Sequence, residues 1–160
     1  MLMTLELFVM LVLANGTPVV AAALLKKHWS APVDGGRMWS DGRPVFGNSK
    51  TWRGVVSGAL ACALFALVTG LGFVFGLLFG LLGLAGDMLS SFIKRRLGMV
   101  SSARAVGLDQ IPEALLPMLL AMWWLPVSLW VVLVVVAFFT LSNIAVSPLL
   151  YRLGIRRQPH

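Results

Sequence analysis

A glycine-rich polar stretch concentrates the side chains of this chain that could do chemistry. It begins at Asp34, and it holds Asp34 and Asp41, two of only six acidic residues among 160. Carboxylates bind hard metal ions, basic side chains neutralise phosphate, and glycine lets a backbone approach a phosphate oxygen. The stretch therefore predicts a site for a phosphate-bearing ligand and a metal ion. Three of its bases are Arg43, Lys50 and Arg53.

A second polar group interrupts an apolar segment. Asp87, Ser90, Ser91 and Lys94 recur at a spacing that puts them on one face of a helix. An aspartate within a membrane span costs roughly 2.5–3.5 kcal/mol on insertion scales, so Asp87 is a functional candidate. The alternative is a buried acid paired with a base, with serines that join helices. Lys94 is interpreted as ligand-binding, whereas Arg96 is interpreted as a topology signal.

The composition indicates a membrane protein. The chain is 59% hydrophobic and 12% charged, whereas soluble domains carry about 25% charged residues. A span needs roughly 20 apolar residues, and two charge-free runs are too long for one span each. Turn signals at Thr69–Gly72 and Trp123–Pro126 divide both runs. We therefore predict one all-α domain, 1–160, with transmembrane helices over about 2–25, 54–69, 72–93, 111–124 and 127–150.

The distribution of bases predicts the orientation. Five spans place all thirteen Lys and Arg residues on one side, in loops 26–53 and 94–110 and in a basic tail. The positive-inside rule makes that side cytoplasmic, with the N-terminus outside and the C-terminus inside. We expect a multi-pass protein of the cell (inner) membrane with a cytoplasmic site. The sequence has no basic aromatic stripe, so we expect no nucleic-acid partner. The oligomeric state stays open, with a homodimer as one option.

The available side chains favour nucleotidyl or phosphoryl transfer. The chain offers no Ser–His–Asp set and no cysteine nucleophile, and the glycine before Lys50 lies too far away for a Walker motif. Mg²⁺ in such enzymes takes one or two carboxylates together with substrate phosphates. Asn15 and Pro18 interrupt the first span, either as interhelical packing or as the lining of a polar cavity.

At these motifs the chain resembles the CDP-archaeol synthase family, membrane cytidylyltransferases related to bacterial phosphatidate cytidylyltransferase. The resemblance covers nearly the whole chain. In one place the sequence departs from the family, which usually continues Asp-Gln-Leu-Asp, because proline stands at the second aspartate and Glu113 follows it. The matching motifs are Asn15-x-x-Pro18, Asp34-Gly, Asp41-Gly-Arg43, Gly47-x-x-Lys50-Thr51-Trp52-Arg53-Gly54, Gly86-Asp87-x-x-x-Ser91-Phe-Ile-Lys94-Arg95-Arg96 and Leu108-Asp109-Gln110.

The resemblance implies that CTP and a membrane lipid phosphate give a CDP-lipid and pyrophosphate, with Mg²⁺, in phospholipid biosynthesis. The acceptor is archaetidic-acid-like or phosphatidic acid. Two alternatives are a CDP-alcohol phosphotransferase and a non-enzymatic membrane protein. The implied residues are Asp87, Asp109 and Lys94 for catalysis; Gly47, Lys50, Thr51, Arg53 and Arg95 for CTP; Asn15, Pro18 and Ser91 for a lipid cavity; and Asp87 and Asp109 for metal, with Asp34, Asp41 and Glu113 as further candidates.

Overall fold

The chain folds as a bundle of helices. The computed structural model describes residues 2–101, 103 and 105–152, and this part contains five α-helices and no strand. Their number agrees with the prediction. The basic tail from position 153 onward, on which part of the predicted orientation depends, lies outside the described residues. The helices are α1 (Leu2–Leu25), α2 (Trp52–Val68), α3 (Phe73–Arg96), α4 (Gln110–Trp124) and α5 (Leu129–Arg152).

Among the residues whose side chains the structure describes, two helices are long and apolar enough to cross a membrane. These are α1 and α3, with 24 residues each, which gives a length of about 36 Å at 1.5 Å per residue. Helix α2 and the Leu129–Ala145 part of α5 are apolar but shorter. The bundle presents large apolar side chains outward, Leu64, Val134 and Phe138 among them. Many exposed large apolar side chains are typical of a surface that contacts lipid or a partner.

Helices α2 and α3 extend beyond the predicted spans at their loop-facing ends. Helix α3 continues to Arg96, so the bases at 94–96 form its last turn and not the start of a loop. Gly98, at φ +76°, ends the helix with two bonds: its N–H donates to the Arg95 carbonyl, and the Met99 N–H donates to the Lys94 carbonyl. This is a Schellman motif, and basic side chains are stabilised at a helix C-terminus. Helix α2 begins two residues early because Thr51 caps it.

Small residues bring α2 and α3 close together. A Cβ on Gly76 would lie 2.5 Å from the Cys62 carbonyl oxygen, and one on Gly80 would lie 2.9 Å from Ala59 Cα. Interfaces of this type are common between membrane helices, where close backbone approach replaces hydrophobic driving force. Helix α1 contacts all four other helices and buries Leu7 in the core they share.

Helices α3 and α4 meet even more closely, beside Asp87. A Cβ on Gly86 would lie 2.2 Å from the Pro112 carbonyl oxygen. One turn later, Ser90 Oγ donates to the Leu108 carbonyl at 2.6 Å. Pro112 is accommodated because it lies in the first turn of α4, where a backbone N–H has no helical partner. The contact fixes the start of α4 next to Asp87.

Candidate active site

The first loop and α3 are joined by an ion pair between two predicted site residues. Lys50 Nζ lies 2.6 Å from both carboxylate oxygens of Asp87. Lys50 ends the first loop just before α2, while Asp87 lies in α3, 37 residues further along the chain. Both side chains are half-buried, with 20% and 30% exposed. The structure therefore brings together the two motif-bearing segments that the sequence kept apart.

A second ion pair lies on the same face of α3. Lys94 Nζ is 2.5 Å from Asp109 Oδ1 and also donates to the Ala103 carbonyl at 2.9 Å. The other Asp109 oxygen accepts the Ala105 N–H at 2.8 Å, so the loop before α4 fixes this carboxylate. Each of the two acids predicted to be catalytic thus faces a lysine.

Glu113 belongs to the same electrostatic environment. Burial alone would lower the pKa of Lys50, but attraction from Asp87, and further from Glu113 and Asp109, raises that pKa above its ordinary value. Glu113 is itself buried in the first turn of α4, and its backbone nitrogen lies next to Gly86. The structure therefore places the glutamate that follows the family's missing aspartate in the neighbourhood of Asp87.

Asp34 orders the first loop. Its Oδ2 accepts the N–H groups of Phe46 and Gly47, and its Oδ1 accepts that of Gly36, all at 2.9 Å. Burial alone would raise the pKa of Asp34, but these backbone hydrogen bonds together lower it below its ordinary value. The Asp34 carboxylate therefore accepts hydrogen bonds from within the first loop.

Backbone hydrogen bonds to residues 31 and 33 fix the position of Lys50. The Val33 N–H donates to the Lys50 carbonyl at 2.8 Å, and the Trp52 N–H donates to the Ala31 carbonyl at 3.1 Å. Thr51 Oγ1 then accepts the Gly54 N–H at 3.3 Å as the N-cap of α2. Lys50 therefore extends from a braced backbone at the positive end of a helix, where anions are favoured.

Three residues predicted to bind CTP make contacts within the protein. Arg53 Nη1 donates to the carbonyls of Lys26 and His28, at 2.9 and 2.7 Å. Arg95 Nη2 donates to the Val100 carbonyl at 2.7 Å. The Gly47 N–H is used by Asp34, and its φ of +90° requires glycine. Arg53 and Arg95 are buried and retain an unpartnered Nε among the described residues.

The residues predicted to line a lipid cavity lie on two helices. Asn15 Nδ2 donates to the Leu11 carbonyl of its own helix at 2.9 Å. Pro18 packs against Gly54 at the start of α2, where an added Cβ would lie 3.3 Å from it. Ser91 is buried on α3, one turn beyond Asp87. Pro18 and Ser91 thus lie beside the segments that carry the ion pairs, whereas the Asn15 side chain bonds within α1.

Sequence reasoning missed the role of Arg96. It was interpreted as a topology signal, yet Arg96 Nη1 makes an ion pair of 2.6 Å with Asp41. Asp41 is therefore engaged by Arg96 at the end of α3. No spacing rule connects positions 55 residues apart, so the sequence offers no signal for this contact.

The helical bundle and its relatives define a membrane protein. A solved structure, described as an intramembrane enzyme for archaeal membrane lipid biosynthesis, aligns with a TM-score of 0.72 and 33% identity, over 88% of this chain and 89% of that one. The sequence model of the CDP-archaeol synthase (CarS-like) family matches residues 2–72 and 69–160. The chain therefore belongs to the CDP-archaeol synthase family, as the motifs indicated.

Individual relatives agree with this membership. The CDP-archaeol synthase of Pyrobaculum calidifontis is 30% identical over 151 residues, 91% of this chain and 90% of that protein. That of Hyperthermus butylicus is 42% identical over 104 residues, 61% of this chain. The matched stretch spans 59% of the Hyperthermus protein, and a similar share, 60%, of that of Pyrococcus furiosus.

Proposed function

We propose that this protein transfers CMP from CTP to a membrane lipid phosphate, releasing pyrophosphate. The observation that carries the proposal is the double ion pair, Lys50–Asp87 and Lys94–Asp109, in a chain of the CDP-archaeol synthase family. Asp87 and Lys94 on α3, with Lys50 from the first loop and Asp109 from the loop before α4, provide ligands for a metal ion and for phosphates. Family membership favours this reaction over a CDP-alcohol phosphotransferase and over a protein without activity.

In the proposed reaction an oxygen of the lipid phosphate attacks the α-phosphorus of CTP. The new phosphorus–oxygen bond forms as the bond from the α-phosphorus to the bridging oxygen breaks, and pyrophosphate leaves with the negative charge. Lys50 and Lys94 stabilise that charge, since each ammonium can exchange its carboxylate for phosphate oxygens. Arg95, buried beside them with an unpartnered Nε, adds a further positive charge. Helix α2 begins two residues after Lys50 and α4 begins directly after Asp109, and a helix N-terminus favours negative charge.

Mg²⁺ is part of the proposal. Within residues 2–101, 103 and 105–152 no group of three or more His, Cys, Asp or Glu side chains is arranged to hold a metal ion. Substrate phosphates would complete the coordination, which is the usual arrangement for Mg²⁺. The donors fit by chemistry, because Asp87 and Asp109 are carboxylates, and each would exchange its lysine for the ion. When bound, the ion would neutralise charge on the phosphates.

The proposed site faces the cytoplasm. Lys26, Lys27 and the bases at 94–96 all lie at the end of the bundle where Lys50 meets Asp87. The connections at the other end, residues 69–72 and 125–128, carry no charged residue. The positive-inside rule assigns the basic end to the cytoplasmic side, so that the N-terminus is outside. CTP is then available directly, and the lipid phosphate reaches the site from the inner leaflet.

The proposed acceptor is an ether-linked lipid phosphate of the archaeal type. The family match and the archaeal relatives support this choice. The lipid would enter between helices, past Pro18, which packs against Gly54 at the start of α2, and Ser91, one turn beyond Asp87 on α3. Such a route lets the headgroup phosphate reach Asp87 while both chains stay in the bilayer.

The proposal is tested with purified protein in detergent, Mg²⁺, labelled CTP and a panel of ether- and ester-linked lipid phosphates. We expect a CDP-lipid from the ether-linked acceptor. Asp87→Asn removes the charge that pairs with Lys50 and should abolish product at normal expression. Glu6→Gln is the matched control. It changes another acid, near the end of α1 that is remote from the first loop, and should leave the yield of CDP-lipid unaltered. Full activity of Asp87→Asn would refute the assigned site.

A further inference from the structure

Two arginines attach the tip of the first loop to the end of α3. Arg96 Nη1 pairs with Asp41 at 2.6 Å, and Arg96 Nη2 donates to the carbonyls of Pro44 and Arg43, at 2.6 and 3.3 Å. Arg43 Nη1 donates in return to the carbonyls of Arg96 and Arg95, at 2.6 and 3.4 Å. We call Arg43, Arg96 and Asp41 the arginine clasp. Each arginine binds the segment that carries the other.

Aromatic rings support the clasp. The Arg96 guanidinium carbon lies 5.0 Å from the centre of the Phe92 ring and 5.9 Å from that of Trp39. The two rings meet edge to face, with centres 5.3 Å apart. Stacking over rings removes water from one side of the guanidinium, and cation–π contacts strengthen when water is excluded. Arg96 is accordingly held by contacts from α3 and from the loop.

The helix end is shaped to receive Arg43. The last carbonyls of a helix have no partner within it and carry partial negative charge, and Arg43 donates to two of them. Gly98, which ends α3, lies directly against this guanidinium, since an added Cβ would be 3.4 Å from its two terminal nitrogens. Position 98 is therefore a glycine for two reasons: the turn that ends α3 has a positive φ, and the Arg43 guanidinium lies where a side chain would start.

A short length of chain connects the clasp to Lys50 in the proposed nucleotide site. The tip is a small hairpin, in which the Trp39 N–H donates to the Arg43 carbonyl at 2.8 Å. Gly47, held by Asp34, follows four residues later, and then Lys50. On α3, Arg96 lies nine residues beyond Asp87, about 14 Å along the axis. The first loop is thus fixed to α3 at two points, the Lys50–Asp87 pair and the clasp.

We propose that Arg43 and Arg96 are positioning residues that hold the first loop over the nucleotide. This inference rests on the proposed function. Phosphates binding at Lys50 would weaken its bond to Asp87, which leaves the clasp as the attachment that keeps the loop in place. A loop that is in place for only part of the time lowers apparent affinity by that fraction. Loss of the clasp should therefore raise the KM for CTP by about tenfold, with little change in kcat.

The test combines amide hydrogen exchange over residues 38–47 with steady-state kinetics. Arg96→Ala should lose protection in this segment, and Arg96→Lys, which keeps the charge but not the fork of donors, should lie between it and wild type. Arg43→Ala, which leaves the Asp41 pair intact, serves if Arg96→Ala does not fold. Arg37→Ala is the control, since its exposed side chain makes no hydrogen bond or ion pair with the described residues. It should change neither readout.

Two results would overturn the inference. Unchanged protection in Arg96→Ala would show that the clasp does not order the loop. Lost protection with an unaltered KM would show that the clasp orders the loop without positioning the nucleotide. Failure of the wild-type protein to turn over CTP would instead count against the proposed function, because amide exchange measures the clasp without any substrate.

Discussion

Gly86→Ala tests the contact that places Asp87 beside α4. The added methyl carbon would lie 2.2 Å from the Pro112 carbonyl oxygen, 2.5 Å from the Pro112 carbonyl carbon and 2.7 Å from Glu113 N. All three are backbone atoms, so no change of rotamer relieves the clash. Ordinary contact begins at 3.4 Å, so the two helices must separate locally by about 1.2 Å. Asp87, the next residue, would move relative to Glu113.

The magnitude follows from two opposing effects. Forcing a methyl group into a packed interior costs about 1–3 kcal/mol, and rigid backbone neighbours put this site at the upper end. Alanine in place of glycine within a helix regains about 1 kcal/mol. We therefore expect a net loss of about 2 kcal/mol for Gly86→Ala. Gly83→Ala is the matched control one turn earlier, where the nearest atoms lie at 3.5 Å, and it should be neutral or stabilising by up to about 1 kcal/mol.

The assay is the unfolding free energy of both variants in detergent, followed by their rates of CDP-lipid formation. Gly86→Ala should be less stable than Gly83→Ala by about 2–3 kcal/mol and should lose activity even where it is fully folded. Equal stability of the two variants would refute the close approach of α3 and α4. Reduced stability with full activity would show that this approach does not set the position of Asp87.

Three further predictions concern the first loop and its ion pair. Asp34→Asn weakens charged hydrogen bonds worth about 1.5–3 kcal/mol, so exchange at the Phe46 and Gly47 amides should accelerate about ten- to hundredfold; unchanged exchange would contradict this. The pKa of Lys50 is raised above 10.5. The stability that charged Lys50 contributes to the fold is therefore complete below pH 10.5 and is lost as the pH rises through the folded-state pKa. The gap in Tm between wild type and Lys50→Met should then stay constant up to about pH 10 and close above it, whereas a gap that persists would argue against the pair. Lys50→Gln frees Asp87 from its cation, so Mn²⁺ bound without nucleotide, counted by electron paramagnetic resonance, should increase; an equal amount would show that Lys50 does not compete with the metal ion.

The helices could be predicted because hydrophobicity and turn chemistry are local properties. The glycines at 70 and 72 separate α2 from α3, as the turn signal at Thr69–Gly72 indicated. The end of α3 was also readable, since bases followed by Gly98 form a helix C-terminus signature. The predicted span ends at 93 whereas the helix continues to Arg96, because the last turn of a membrane helix that reaches water is no longer apolar.

The arrangement of the site was less accessible from the sequence. The helical spacing put Asp87 and Lys94 on one face, but the partners of both residues come from other segments. Of those partners, Lys50 is placed by backbone hydrogen bonds that any residue type can make, and Asp109 is placed by the Ala105 N–H that its carboxylate accepts. The clasp is equally hidden, because Arg96 binds carbonyl groups of the loop tip. Sequence patterns indicate which side chains are unusual, whereas tertiary packing decides which of them meet.

The central claim is that CMP, and not another part of CTP, reaches the lipid. Wild-type protein should be incubated in parallel with CTP labelled with ³²P at the α or at the γ position, together with Mg²⁺ and an ether-linked lipid phosphate. We predict label in the extracted lipid from α-labelled CTP only, and label in pyrophosphate from γ-labelled CTP. Lipid labelled from the γ position would indicate a kinase, and unlabelled lipid in both reactions would contradict the proposed transfer.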